Sequence, residues 1–334
     1  MDMQLLLFML LASITASAAG DTNKVVNQWG MTFVAIPSGQ FMMGTKDIDE
    51  AAMEHPKGDV NLVRDETPPH PVSISAFYMG QTEVTQKQWQ DVMNSQPGPE
   101  ANWQRKDWQQ LPVVTVNWHR IQDFINVLNA KDEQYHYRLP TEAEWEYVAR
   151  DGSGSLRPFD IEQLDEHAWT ISNSGDILHP VATRKANGFD IYDLYGNVWE
   201  WVNDWYAPDY YTNSAQVDPP GPDKGTRRMR RGGSFHCPVH LVRPGYRAPE
   251  IPDKRYSVLG FRLAASPHPV PCTEPWYAFV ESKVSTGDGM GHGPDADSAE
   301  WKSVVEFKLG IRGTAGIPDP STDEWCNYID KQIR

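Results

Sequence analysis

Two short segments of the chain carry residues that could bind an ion or a ligand. Gly196–Trp201 has the sequence Gly-Asn-Val-Trp-Glu-Trp, and Arg231–Ser234 follows later with Arg-Gly-Gly-Ser. Carboxylates at Asp193 and Glu200 lie on either side of Gly196. Ca²⁺ takes several oxygen ligands, often from a flexible turn, so this pattern fits a calcium site. The alternative is that the two carboxylates belong to an ordinary turn and a strand edge.

A second group of potential ligands follows the Gly-Gly-Ser turn. His236, Cys237 and His240 lie within five residues of one another, and such side chains bind copper or zinc in proteins. Pro238 constrains the chain between them, and the sequence offers no fourth ligand nearby. The alternatives are two surface histidines and a Cys237 that acts as a small buried apolar group.

The elements that must position these residues are short. Met31–Pro37 is predicted to be a buried strand that turns into Phe41–Gly44, and Pro112–Val116 is predicted to be another strand. The acidic, proline-containing residues 47–71 have no periodicity and are predicted to form a surface loop.

Three helices are predicted before residue 151. Thr85 is a candidate N-cap, Trp118 begins an apolar helical stripe, and Thr141 with Glu144 forms a capping box. From 151 to 261 the chain consists of short segments separated by Gly, Pro, Asn and Asp, which is typical of a loop-rich region with small strands. The fold class is therefore α+β and irregular.

One basic run, Arg227–Arg231, stands out in an acidic chain with a formal net charge of −15. The run is interpreted as a solvated strand edge, with contact to an acidic partner as the alternative. Nucleic-acid binding requires clustered cations, so no nucleic-acid partner is expected.

Several runs occur together in the order that is typical of one known family. They are Phe41–Gly44, Glu83–Thr85, Arg138–Glu146, Gly196–Trp201, Arg231–Ser234 and Gly260–Arg262. Together they resemble the formylglycine-generating enzyme, or sulfatase-modifying factor, family over residues 27–265. The resemblance implies an irregular α+β domain related to C-type lectins, poor in regular structure and dependent on bound ions.

The resemblance also implies particular site residues. Its calcium ligands correspond to the side chains of Asp193 and Glu200 and the backbone carbonyls of Gly196 and Val198, so calcium is the expected cofactor. The matching enzymes place a Trp and a Ser beside the substrate and oxygen pocket. Trp199 and Ser234 occupy those positions, and with Cys237 they are the candidate catalytic residues.

One departure from the family's enzymes concerns their copper centre. Those enzymes bind Cu(I) with two cysteines five residues apart, and a soft cation of this kind prefers thiolate ligands. Cys237 matches the first cysteine, whereas Val242 stands at the second position, or Arg243 if the alignment shifts by one residue. Copper is therefore not expected here.

The residues that follow 266 lie outside this resemblance and contain an internal repeat. The repeated units are Trp276, Phe279, Val280, Val284; Trp301, Val304, Val305, Leu309; and Trp325, Tyr328, Ile329, Ile333. This spacing is that of a helical stripe, and Thr273, Ser298 and Thr322 are predicted N-caps. Residues 270–334 are therefore predicted to form a small all-α module of three helices, either a partner-binding unit or a packing addition.

Cys272 and Cys326 flank this module and are predicted to form a disulfide. Such a small core needs help to be stable, and a crosslink that encloses about 54 residues contributes roughly 4 kcal/mol. The pairing leaves Cys237 as the unpaired cysteine.

The N-terminus indicates export. Residues 1–18 have an apolar stretch, Leu5–Ile14, followed by the small residues Ala16, Ser17 and Ala18, as in a cleaved signal peptide. No later segment is long and apolar enough to span a membrane, so a periplasmic or secreted location is expected.

Two hypotheses for function follow. The first is a non-catalytic or accessory protein that binds a peptide or another ligand in a groove at Trp199 and Ser234. The second is an oxygen-dependent maturation enzyme that modifies an exported peptide or protein by a non-standard metal route through Cys237.

Overall fold

The computed structural model describes residues 23–287 and 292–333. The predicted signal peptide and most of the glycine-rich turn at 287–293 lie outside these residues. The strands are β1 Lys24–Val26, β2 Thr32–Ile36, β3 Gly39–Met43, β4 His70–Ile74, β5 Phe77–Gly80, β6 Tyr135–Arg138, β7 Trp199–Trp205, β8 Arg228–Arg231, β9 Ala248–Glu250, β10 Leu259–Phe261 and β11 Ala264–Pro267. The helices are α1 Ile48–Glu54, α2 Gln86–Met93, α3 Glu100–Trp103, α4 Trp118–Asn129, α5 Glu142–Arg150, α6 Leu164–His167, α7 Glu274–Val284, α8 Ala299–Lys308 and α9 Asp323–Ile333.

The strands form three small sheets. A five-stranded sheet has the order β1-β2-β5-β11-β6, a four-stranded sheet has the order β10-β7-β8-β9, and β3 pairs with β4. In the four-stranded sheet β7 runs parallel to β10 and antiparallel to β8. Because β7 carries the second half of the Gly-Asn-Val-Trp-Glu-Trp run and β8 ends at Arg231, this sheet brings the two candidate segments side by side. The structure thus shows the expected irregular, loop-rich α+β fold.

Local sequence signals place the helices that support the sheets. Thr85 and Thr141 each form a reciprocal capping box, with Gln88 and Glu144 respectively. Asn117 caps α4, whose buried face is the predicted apolar stripe that begins at Trp118. In the core the ring of Trp89 stacks on Phe124 at 5.2 Å.

The prediction of a surface loop throughout 47–71 is wrong. Asp47 caps α1 by accepting from the backbone N–H of Glu50, and Ala51 and Ala52 pack with Val63 in a small buried cluster. The segment is too short and too acidic for its helical period to stand out in the sequence.

The predicted strand Pro112–Val116 is also absent. Its valines are buried as expected, but the backbone forms only a single bridge, between Pro112 and Thr85. Proline lacks an N–H for ladder pairing, and Thr115 has a left-handed φ of 64°. The segment is a buried irregular connection.

The three C-terminal helices share one small core. Each tryptophan donates its indole N–H to a carboxylate on another of these helices: Trp276 to Asp330, Trp301 to Glu281 and Trp325 to Glu306, at 2.8–2.9 Å. These contacts satisfy the polar atoms of three buried rings, which would otherwise carry a desolvation cost. The Sγ atoms of Cys272 and Cys326 are 1.99 Å apart in a disulfide that closes the segment.

The predicted N-caps of these helices differ from one another. Ser298 accepts from the backbone N–H of Trp301, as an N-cap should. Thr273 and Thr322 precede their helices, but their hydroxyls donate to the carbonyls of Val270 and Asp319 instead. Within the described residues, no helix combines the length and apolarity needed to cross a bilayer.

Candidate functional site

The turn before β7 has a backbone that only certain residues can adopt. Asp193, Gly196 and Asn197 have φ values of 57°, 81° and 50°. A Cβ on Gly196 would lie 1.9 Å from the carbonyl oxygen of Trp169, so glycine is required there by close approach as well as by φ. The turn delivers Asp193 and Asn197 to the interior and leads directly into β7.

Behind this turn lies a buried cluster of three carboxylates and one guanidinium. Glu83, Asp193, Glu200 and Arg262 are each 0–3% exposed. Arg262 donates twice to Glu200, at 2.6 Å each, and the indole N–H of Trp145 donates to the same carboxylate at 2.8 Å. Both oxygens of Glu200, an expected calcium ligand, are therefore already occupied by protein donors.

The other two carboxylates are less well satisfied. Glu83 accepts only from the backbone N–H of Val198 and the amide of Asn197, both at 3.3 Å, and Asp193 accepts from the N–H of Ala182 at 2.7 Å. Burial, with the charges of Asp193 and Glu200, raises the pKa of Glu83 well above its usual value. Burial raises the pKa of Asp193 to about 6.

The cluster holds more carboxyl groups than cations. Three carboxyl groups face one guanidinium in a buried region, so ionisation of all three would leave an excess of negative charge there. Among the described residues, no three His, Cys, Asp or Glu side chains converge on one metal position, so an ion here would depend on backbone carbonyls as well. Ca²⁺ accepts such mixed oxygen ligands.

Glu83 was not predicted from the sequence to belong to this site, although Glu83–Thr85 was among the runs that carried the family resemblance.

The Gly-Gly-Ser turn brings together Ser234 and Cys237. The Ser234 hydroxyl lies 3.2 Å from the Cys237 thiol, and Ser234 has no exposed surface. Val242 is fully buried next to Gly233, whose φ is 80° and whose added Cβ would lie 2.7 Å from the Val242 side chain. The chain has three cysteines and two form the disulfide, so Cys237 has no second thiol to complete a two-thiolate centre.

The structure does not bring His236, Cys237 and His240 together. The exposed imidazole of His236 pairs with Asp176, whereas the ring of His240 packs edge-on against His55 at 4.5 Å. Pro238 and the short turn after it direct the two histidines to different neighbours. The hypothesis of a copper or zinc site formed by these three residues has no support in this geometry.

The face of the sheet near Cys237 is aromatic and basic. Trp199 is 4% exposed and its ring lies 6.1 Å from that of Tyr246. The guanidinium of Arg230 lies over Trp199 at 4.7 Å and faces Tyr256 at 6.0 Å. Trp199 and Ser234 are thus largely covered, and the solvent-facing groups at the predicted groove are Arg230 and the tyrosines.

The basic run Arg227–Arg231 is not a solvated strand edge. Its last four residues form β8, which pairs with β7 on one side and β9 on the other. Arg231 is fully buried and donates to Glu146 of α5 and to the carbonyls of Pro244 and Tyr246. Two of the runs that carry the family resemblance, Arg138–Glu146 and Arg231–Ser234, are thus joined in the fold by a buried ion pair, although they lie far apart in the chain.

The geometry defines an irregular α+β domain with a buried carboxylate cluster behind the Gly-Asn-Val-Trp-Glu-Trp turn and a single thiol beside Gly-Gly-Ser. Residues 19–267 match the sulfatase-modifying factor enzyme 1-like domain. The chain belongs to this family.

Curated and solved relatives agree with this assignment. The chain is 30% identical over 290 residues to the formylglycine-generating enzyme of Thermomonospora curvata, covering 70% of this chain and 93% of that protein. The solved structure of Treponema denticola variable protein 1 has 31% identity and a TM-score of 0.59, covering 70% of this chain and 94% of that one. PvdO from Pseudomonas aeruginosa has 25% identity and a TM-score of 0.63, with coverages of 73% and 97%.

Proposed function

We propose that the protein is an exported, accessory member of its family that binds a peptide or another extended ligand at the surface of Arg230 and Tyr256, which lies outside the buried Trp199 and Ser234. The observation that carries this proposal is the isolation of Cys237. The other two cysteines are joined in the C-terminal segment, and buried Val242 occupies the position of the second copper cysteine. A single thiolate does not supply the paired soft ligands that Cu(I) requires.

The disulfide also supports an exported location. Disulfides form and persist in the periplasm and outside the cell, whereas cytosolic thiols are kept reduced. An apolar segment followed by small residues at 1–18 is consistent with the same route.

Binding and turnover can be separated in one experiment. Purified protein is applied to an array of extended heptapeptides and, after loading with Cu(I), is incubated in air with a cysteine-containing peptide. We expect a subset of the array to be retained, and we expect neither oxygen uptake nor aldehyde formation. Binding should survive Cys237→Ala, because the thiol is covered. An array that retains nothing would contradict the proposal.

The alternative is a maturation enzyme that uses Cys237 by a non-standard metal route. One observation favours it, the 3.2 Å contact between the Ser234 hydroxyl and the Cys237 thiol, since a neighbouring hydroxyl can donate to a thiolate. This alternative requires oxygen-dependent modification of the cysteine peptide that Cys237→Ala abolishes. The same assay therefore decides between the two functions.

We also propose that Asp193, with the backbone carbonyls of Gly196 and Val198, holds Ca²⁺ next to Glu83. The ion would neutralise the excess buried carboxylate charge. Glu200 would act indirectly, because Arg262 and Trp145 occupy its oxygens.

Calcium should therefore stabilise the protein at pH 7.5. At a free concentration of about one hundred times the Kd, the gain in the free energy of unfolding is about 2.7 kcal/mol. Thermal melts with EDTA, Ca²⁺ or Mg²⁺ measure the gain. Asp193→Asn should abolish the calcium response, whereas Asp190→Asn, a nearby exposed carboxylate paired with Lys24, should leave it intact. An equal response in both variants would exclude this site.

A further inference from the structure

Arg230 is a partly buried cation without a hydrogen-bonding partner among the described residues. Its side chain is 20% exposed, and the nearest carboxylate oxygen, on Glu250, is 3.9 Å away. Its Nε is buried and unbonded. A guanidinium has five N–H donors in a planar fork, and removing such donors from water without partners is costly. Arg230 therefore has an unused capacity to bind an anion.

The neighbouring arginines of the same strand share the unbonded Nε, but their terminal N–H groups have acceptors. Arg231 points to the opposite face and donates to Glu146 and to backbone carbonyls. Arg228 is stacked between Trp118 and Trp205, at 3.9 and 3.6 Å from the ring centroids, and donates to the carbonyl of Asn203. Arg230 differs from both because its terminal N–H groups have no hydrogen-bond acceptor among the described residues.

The surroundings of Arg230 hold the guanidinium in one place. Trp199 lies under it and Tyr256 faces it. Burial lowers the pKa of the Arg230 guanidinium. Cation–π contacts fix the plane of the guanidinium while they leave its outer N–H groups available. A carboxylate that approached from solvent could therefore accept two hydrogen bonds from a guanidinium already held in position.

We propose that Arg230 binds the carboxylate of a single Asp or Glu side chain in an extended peptide ligand, and so selects which ligands the protein accepts. The inference rests on the proposed peptide-binding function. Arginine pairs with carboxylates through two parallel hydrogen bonds, which gives specificity as well as affinity. The net charge of −15 repels polyanions, so one isolated acidic residue fits better than an acidic tract.

A change at Glu250 should alter the affinity for the ligand in the opposite direction to a change at Arg230. Its carboxylate is the only one within 4 Å of Arg230 among the described residues and competes with the ligand for the same guanidinium. Removing that charge should strengthen ligand binding, whereas removing Arg230 should weaken it. A purely structural role for Arg230 predicts no gain from Glu250→Gln.

The experiment uses the full chain on an array of extended heptapeptides with a central Asp, Glu, Asn, Gln or phosphoserine. We expect the Asp or Glu peptides to bind at least about tenfold more tightly than their amide counterparts. Arg230→Gln should erase this preference, Arg230→Lys should keep part of it, and Glu250→Gln should increase it. Arg227→Gln, which removes an equal charge from an exposed position, is the matched control.

The outcomes separate this inference from the proposed function. If peptides bind but Asp and Asn peptides are equivalent and Arg230→Gln has no effect, the carboxylate inference fails while peptide binding stands. A preference for phosphoserine over Asp and Glu overturns the carboxylate assignment. If no peptide binds, both proposals fail. Should Arg230→Gln not fold, the absence of a gain in Glu250→Gln would by itself overturn the inference.

Discussion

Replacement of Arg262 by Met is expected to lower the free energy of unfolding by about 3–5 kcal/mol at pH 7.5. Arg262 is fully buried and is the cation paired with Glu200 in the carboxylate cluster. Its removal leaves Glu200 without its guanidinium partner beside the buried carboxyl groups of Glu83 and Asp193. The backbone carbonyls of Gly80 and Tyr192 also lose the hydrogen bonds that Arg262 donates. Methionine fills a similar volume, so the loss of stability measures the unpaired carboxylate and the missing hydrogen bonds rather than a cavity.

The direction of the pH dependence follows from the raised pKa values. The usual pKa of an Asp carboxyl is 3.8 and that of Asp193 in the folded protein is about 6. Between these values the folded state holds more protons than the unfolded state, so stability falls as the pH rises through this window. Glu83 acts in the same direction. The Arg262→Met variant should therefore recover part of its stability as the pH is lowered from 7.5 to 5.

Urea unfolding at pH 7.5 and pH 5, in EDTA, measures both effects. Arg255→Met, at an exposed position, is the control for the loss of one positive charge and should change stability by less than about 0.5 kcal/mol. If Arg262→Met were as stable as that control at pH 7.5, the cluster would not be ionised as described.

Loss of the Cys272–Cys326 disulfide is expected to unfold the C-terminal helices without unfolding the main domain. The bond closes a loop with a sequence separation of 54, for which the entropic contribution is about 4 kcal/mol. The core it closes is small, with the three buried tryptophans and only a few other buried side chains. A core of this size does not contribute enough to the free energy of unfolding to offset the loss of about 4 kcal/mol.

Hydrogen exchange of Cys272→Ser/Cys326→Ser measures the loss segment by segment. Amides of α7, α8 and α9 should exchange much faster, while those of β7 and β8 should be unchanged. Cys237→Ala is the matched control, because this cysteine is buried in the main domain and forms no disulfide. Unchanged protection in all three helices would show that the indole–carboxylate contacts are sufficient alone.

The sequence by itself determined those features that depend on neighbouring residues. The helices at Thr85, Asn117 and Thr141 begin where side-chain oxygens can cap the first turn, and a cap needs only residues within one turn of each other. The three C-terminal helices follow from the same short-range periodicity. The family was evident because its runs are local as well.

The tertiary structure decided which of those residues share a site. Glu83, Asp193 with Glu200, and Arg262 meet from three separate parts of the chain, and no local pattern shows that Glu200 is bound to Arg262 rather than free for an ion. Arg230 and Arg231 are adjacent residues of one type, yet strand alternation sends one to an aromatic face and the other to a buried glutamate. Burial and long-range pairing fix the chemistry of these side chains, and both arise only when the sheets pack.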